Sequence, residues 1–127
     1  MEAIARLLLS SQANSISRIG IAVVAYLMLV ILAGLMWQTP MTLFFCYCAI
    51  SFYLLYRFPS RSTRIYFLIG VVLGPLGETI TVSLGAWTYA NSSLFPIWLP
   101  LAWGIAAICL KQLGEGVEEI RNRRSGR

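Results

Sequence analysis

Histidine is absent from these 127 residues, and only 12% of them carry charge. The first absence removes the commonest transition-metal ligand. Cys46-Tyr47-Cys48 has a single residue between its thiols, short of the two-residue spacing of a redox or zinc pair, so no metal and no other cofactor is expected. Cys46, Cys48 and Cys109 all fall in apolar stretches, where a thiol behaves as a small hydrophobe, and they make no disulfide framework. The scarcity of charge excludes more. With 58% hydrophobic residues, the chain cannot cover itself with a water-compatible surface as a small soluble domain. It reads as a multi-pass membrane protein whose first partner is the lipid bilayer. The formal charge of +5 is not arranged as a Lys/Arg stripe interleaved with aromatics on a soluble module, so nucleic acid is not an expected partner.

A helix needs roughly 20 apolar residues to cross about 30 Å of hydrocarbon. Four segments meet or approach this length: about 19–37, 40–56, 65–84 and 96–113, with an N-terminal interfacial segment 1–18 and a basic tail 114–127. The second is the shortest, and its length leaves full crossing open. The expected fold is all-α, one transmembrane domain built as an integral membrane four-helix bundle. Thr39-Pro40 has the form of an N-cap followed by proline at the first helical position, which makes spans one and two a tight antiparallel hairpin. Arg57, Arg61 and Arg64, with Pro59 and the serines, form a polar connector between spans two and three.

All ten basic residues fall on one side of this arrangement, around Arg6 and Arg18, the Arg57 to Arg64 connector, and Lys111 with the tail arginines. The other side holds Gln38-Thr39 and the stretch Gly85 to Phe95, neither with Lys or Arg. By the positive-inside rule both termini face the cytoplasm, and a prokaryotic inner or plasma membrane is the expected location. Glu2 and Arg6 bracket only a brief apolar run, so the first span is expected to remain as a signal anchor rather than to be cleaved. Ile4, Leu7, Leu8 and Leu9 are spaced for an interfacial amphipathic turn with Arg6 among the headgroups; a frayed terminus fits the same residues. Leu113, Val117 and Ile120 repeat at helical spacing, but Gly114 and Gly116 weaken a helix there, and Asn122 to Arg127 reads as a solvated basic tail.

Glu78 is the only acid in the apolar middle of the chain, within Gly74-Pro75-Leu76-Gly77-Glu78. A carboxyl group in hydrocarbon is costly, so it marks a functional site when protein or a water-filled cavity shelters it. Gly70, Gly74 and Glu78 repeat every four residues and share one helix face; the small pair allows a close helix contact, and Thr81 continues the polar edge. Pro75 lacks an N–H and crowds the Val71 carbonyl, which predicts a kink or local unwinding. At ~1.5 Å per residue, Glu78 lies ~20 Å along the axis from Ile65, towards the uncharged end. Whether it is an acid that donates or a carboxylate that accepts is not fixed by the sequence.

Trp87 and Tyr89 follow within Gly85-Ala86-Trp87-Thr88-Tyr89, and Trp98 and Trp103 approach from the fourth span. Their N–H and O–H groups can donate to Glu78, and their rings would wall a cation-tolerant pocket. An interfacial aromatic belt accounts for the same rings. Pro96 and Pro100 both suit the first turn of the last span, where backbone donors are unpaired in any case.

Taken together, the Gly-Pro-x-Gly-Glu run, Gly85-x-Trp87-x-Tyr89 and Pro96-x-Trp98-Leu99-Pro100-x-x-Trp103-Gly104 resemble a pattern in uncharacterised small multi-pass membrane proteins of bacteria and archaea. The resemblance covers the last two spans and implies no activity. The small multidrug resistance transporters are a physical analogy, being short four-helix proteins with a membrane glutamate. Theirs lies in the first span, which here holds no acid, and the arginine bias argues against the dual insertion of some members.

Three functions follow in order. The first is a structural or accessory membrane protein with a polar network centred on Glu78. The second is proton-coupled transport of a cationic or amphipathic molecule through a pocket of Glu78, Thr81, Trp87, Tyr89, Trp98 and Trp103. A transport path through so few helices calls for a homodimer or larger membrane complex, with the Gly70 and Gly74 face as one candidate contact. The third is lipid or isoprenoid chemistry with Glu78 as acid, similar to small carotenoid-cyclase subunits whose acidic motifs are not evident here. A lone carboxyl group without a second acid places an enzyme last.

Overall fold

A computed structural model describes residues 1–92 and 94–126, with side chains described for all of these except 5–13. The chain is all-α. It forms α1 (Glu2–Met36), α2 (Pro40–Arg57), α3 (Arg61–Ser83) and α4 (Leu99–Ser125). Among the described residues the only extended pairing is a single bridge between Tyr89 and Ser92 in the α3–α4 loop.

Two stretches are long and apolar enough to cross a membrane, Asn14–Met36 within α1 and Arg61–Ser83, which is α3. Only 11% of the most apolar window in each is buried, so their side chains point mostly away from the protein. A soluble core helix of this hydropathy would turn most of that surface inward.

Local chemistry sets the boundaries. Proline opens α2, where a missing N–H costs nothing. Thr39 precedes it but does not cap it; its hydroxyl donates back to the Met36 carbonyl at 3.2 Å, closing the end of α1. Ser60 is a working cap for α3, its Oγ accepting the Thr63 N–H at 3.0 Å. α3 stays helical through buried Pro75, and the Thr79 hydroxyl donates to the Pro75 carbonyl at 2.8 Å. α4 begins at Leu99, so Pro100 sits in its first turn while Pro96 lies ahead of it, accepting the Leu99 N–H at 3.0 Å.

α4 is the centre of the molecule. It packs against α1, α2 and α3, most extensively against α3. Ile105, Ile108 and Cys109 of α4 meet Ala22 and Ala25 of α1 and Leu43, Tyr47 and Leu54 of α2 in one core. Close backbone approach and internal hydrogen bonds add to these apolar contacts. Gly104 supplies one such approach, since a Cβ there would collide with Phe67 and Val71 of α3. Fully buried Tyr47 supplies a bond, donating to the Leu29 carbonyl of α1 at 2.6 Å.

Helix α4 does not stop at the edge of the apolar run. It continues through Gly114 and Gly116 to Ser125, where the sequence reads as a solvated tail. Two contacts hold the extension: Gly116 fits under Ile19 of α1, and buried Ser15 donates to Glu119 Oε2 at 2.7 Å. The amphipathic turn expected at Leu7, Leu8 and Leu9 with Arg6 falls on side chains outside the described set.

Candidate functional site

Glu78 stands on the last turns of α3, half-buried, and its Oε2 is the meeting point of two donors from the loop that follows. Trp87 Nε1 donates to it at 3.1 Å and Tyr89 Oη at 2.8 Å. Gly85 makes this return possible. Its φ of 79° lies in the left-handed region that side-chain-bearing residues avoid, and it turns the chain back immediately after α3 ends. Glu78 Oε1 takes no hydrogen bond among the described residues.

The same geometry changes Tyr89. Burial first, then the hydrogen bond to Glu78 and the nearby carboxylate charge, push its phenol up from 10.0 to about 12. Each effect disfavours a phenolate beside an acid, so Tyr89 is held as a donor.

Beneath Glu78 runs an apolar groove of about 450 Å³ between α3 and α4, reaching from Tyr66 and Leu110 to Glu78 and Trp87. Gly70, Gly74 and Gly77 lie along its α3 side and Trp103 along its α4 side. A Cβ on Gly74 would run into the Trp103 ring, and one on Gly70 into the Trp103 carbonyl and Ala107. Gly77 has open space. Gly70 and Gly74 are therefore the points of close approach between α3 and α4 of the same chain.

The residues expected at the site divide accordingly. Glu78, Trp87 and Tyr89 are brought together by hydrogen bonds, and Trp103 lines the groove under them. Thr81 also lines the groove, but its hydroxyl donates to the Gly77 and Glu78 carbonyls of its own helix, both at 3.0 Å, and not to the carboxylate. Trp98 does not join. It packs edge-on against Tyr47, ring centres 5.9 Å apart, and faces a separate cavity of about 300 Å³ shared with Trp37 and Tyr89. Asn91, which sequence reasoning did not select, reaches across to the Trp37 carbonyl at 3.5 Å and brings the α3–α4 loop to the α1–α2 turn.

The opposite end of the molecule carries a cluster of ion pairs. Arg18 of α1 lies 3.7 Å from Glu115 and 4.0 Å from Glu119 of α4, and Lys111 bonds Glu115 at 2.7 Å. Lys111 is itself buried, an unusual place for a lysine, and sits 6.0 Å from the Tyr66 ring centre. Buried Gln112 donates to Thr63 Oγ1 at 3.3 Å, tying α4 to the start of α3. The i,i+4 spacing of Lys111 and Glu115 was the available sequence signal for this cluster.

Among the described residues, no group of His, Cys, Asp and Glu is placed to hold a metal ion. Comparison with family models, with characterised proteins and with solved structures finds no match.

Proposed function

We propose that this chain is a four-pass integral membrane protein of structural or accessory role, with Glu78 as the anchor that clamps the α3–α4 loop onto the end of α3. The observation that carries this reading is the convergence of Trp87 and Tyr89 on one carboxylate oxygen. Two donors from within the chain give the acid the shelter that an intramembrane position demands. Both belong to one short loop, so what they fix is the loop. The bundle lies with its basic end in the cytoplasm and the Glu78 end facing out, across a prokaryotic plasma membrane. The positive-inside rule supports this, since Arg18, Arg57 and Lys111 gather at one end while the lining around Trp37, Asn91 and Tyr89 at the other holds no Lys or Arg.

The test is Glu78→Gln in purified protein and in cells. An amide oxygen still accepts both donors, so folding, loop protection from protease and any cellular phenotype should persist. Loss of the phenotype with folding and loop protection intact would contradict an anchor role.

A second reading has one observation in its favour. The groove leads apolar surface to a carboxylate whose Oε1 is unengaged, a fit for an amphipathic cation entering from the lipid. On this reading Oε1 carries a proton in the unloaded state, and that proton passes to solvent as the cation binds the carboxylate left behind. Proton release from purified protein on adding hydrophobic amines, absent in Glu78→Gln, would support it; no release across a broad panel would remove it. Enzymatic use of Glu78 has less support, because it is the only carboxyl group lining the groove.

A further inference from the structure

A second cavity, of about 510 Å³, opens at the charged end of the molecule, where α1, α4 and the α2–α3 connector meet. Arg18, Arg57 and Lys111 line it against a single carboxylate, Glu115, leaving a surplus of two positive charges. Glu115 already serves both Lys111 at 2.7 Å and Arg18 at 3.7 Å, and Glu119, 4.0 Å from Arg18, is bonded to Arg123 at 2.8 Å. Arg57 has no carboxylate partner among the described residues; its guanidinium lies 5.5 Å from the ring centre of Phe58.

We infer that this cavity binds a phosphate monoester group. Three features select that chemistry over a carboxylate or a bare anion patch. Two guanidiniums offer forked donors that match phosphate oxygens, and the lysine adds a point charge from a buried position. Ser60 and Ser62 line the same cavity at the start of α3, whose positive dipole end favours an anion. The floor is fixed, because fully buried Thr63 is bonded to Ser60 and Gln112, so the Ser60 hydroxyl is held in place before any ligand arrives. The phosphate can belong to a membrane phospholipid or to a soluble phosphate ester. The lipid source rests on the membrane placement proposed above, and the soluble source does not.

Native mass spectrometry of the detergent-purified protein separates the two. The probes are phosphatidic acid, phosphatidylcholine and glycerol 3-phosphate. Binding of phosphatidic acid well above phosphatidylcholine supports the site and assigns it to a lipid. Binding of glycerol 3-phosphate with equal affinity supports the site and assigns it to soluble esters. Arg57→Gln, a change at an exposed side chain, should weaken the bound probe about fivefold. Arg121→Gln, exposed and outside the cavity, should leave it unchanged. Failure of all three probes to bind, or equal losses in the two variants, would overturn the proposal. Circular dichroism of each variant confirms that the helices are retained.

Discussion

Tyr89 and Glu78 are 11 positions apart in the chain, yet the phenol donates to the carboxylate at 2.8 Å. That bond makes a loop residue part of the end of α3.

One prediction concerns the phenol itself. Tyr89 should titrate at about 12 rather than 10.0, because burial, the bond to Glu78 and the carboxylate charge all oppose the phenolate. A raised phenolic pKa in the folded state means the folded protein holds this proton more tightly. Its contribution to stability is therefore complete below pH 10 and is lost as pH rises through about 12. The difference in tyrosinate absorbance between the native protein and Tyr89→Phe isolates this group. Glu78→Gln should move its midpoint down towards 10.0, and an unchanged midpoint would separate the shift from Glu78.

The α3–α4 contact gives a steric prediction. Gly70→Ala pushes a methyl into the Trp103 carbonyl and Ala107, and backbone cannot rotate away as a side chain can. A loss of about 1–3 kcal/mol in denaturant unfolding in micelles is expected, as for other overpacked contacts. Gly77→Ala meets nothing within 4 Å and should be neutral or stabilising by up to ~1 kcal/mol through helix propensity. Equal effects would contradict the close approach.

At the other end, the Ser15 hydroxyl, then Arg123 and Arg18, hold Glu119 below its usual 4.5, with partial burial opposing them. A depressed carboxylate stabilises the native state above its ordinary pKa, and that contribution disappears as pH falls through the lower folded value. Hydrogen-exchange protection at residues 116–122, relative to the intrinsic rate at each pH, should fall in acid as the α4 extension loosens from α1. Ser15→Ala should move that transition to higher pH; an identical profile would mean that Ser15 does not hold Glu119.

Sidedness can be read with membrane-impermeant maleimide on intact cells. Asn91→Cys should label from outside, while Arg124→Cys should label only after the cells are opened. The native thiols lie within helices, Cys109 being buried, and set the background. Labelling of both from outside would contradict the proposed orientation.

The sequence disclosed the parts of this molecule that depend on local chemistry. Pro40 and Arg57 marked helix ends because a missing N–H and charge act within one turn, whereas Arg61 and Arg64, read as connector, form the first turn of α3 behind the Ser60 cap. Glu78 with Trp87 and Tyr89 was legible because the Gly85 turn keeps them within one short stretch. Contacts between distant helices were not. Trp98 turns to Tyr47 of α2, and no pattern near Trp98 records where α2 lies. The Gly114 and Gly116 pair looked like a helix breaker, yet Gly116 is the notch that admits Ile19 and lets α4 continue. Lys111, read only as one of the basic residues on one side, is buried and paired with Glu115.

The most direct test of the anchor is a double-mutant cycle on Glu78→Ala and Tyr89→Phe, read as unfolding free energy in micelles. A hydrogen bond to a charged acceptor predicts coupling of about 1.5–3 kcal/mol, with the second substitution costing much less once the first is made. Losses that simply add, within ~0.5 kcal/mol, would mean that the two side chains do not hold each other.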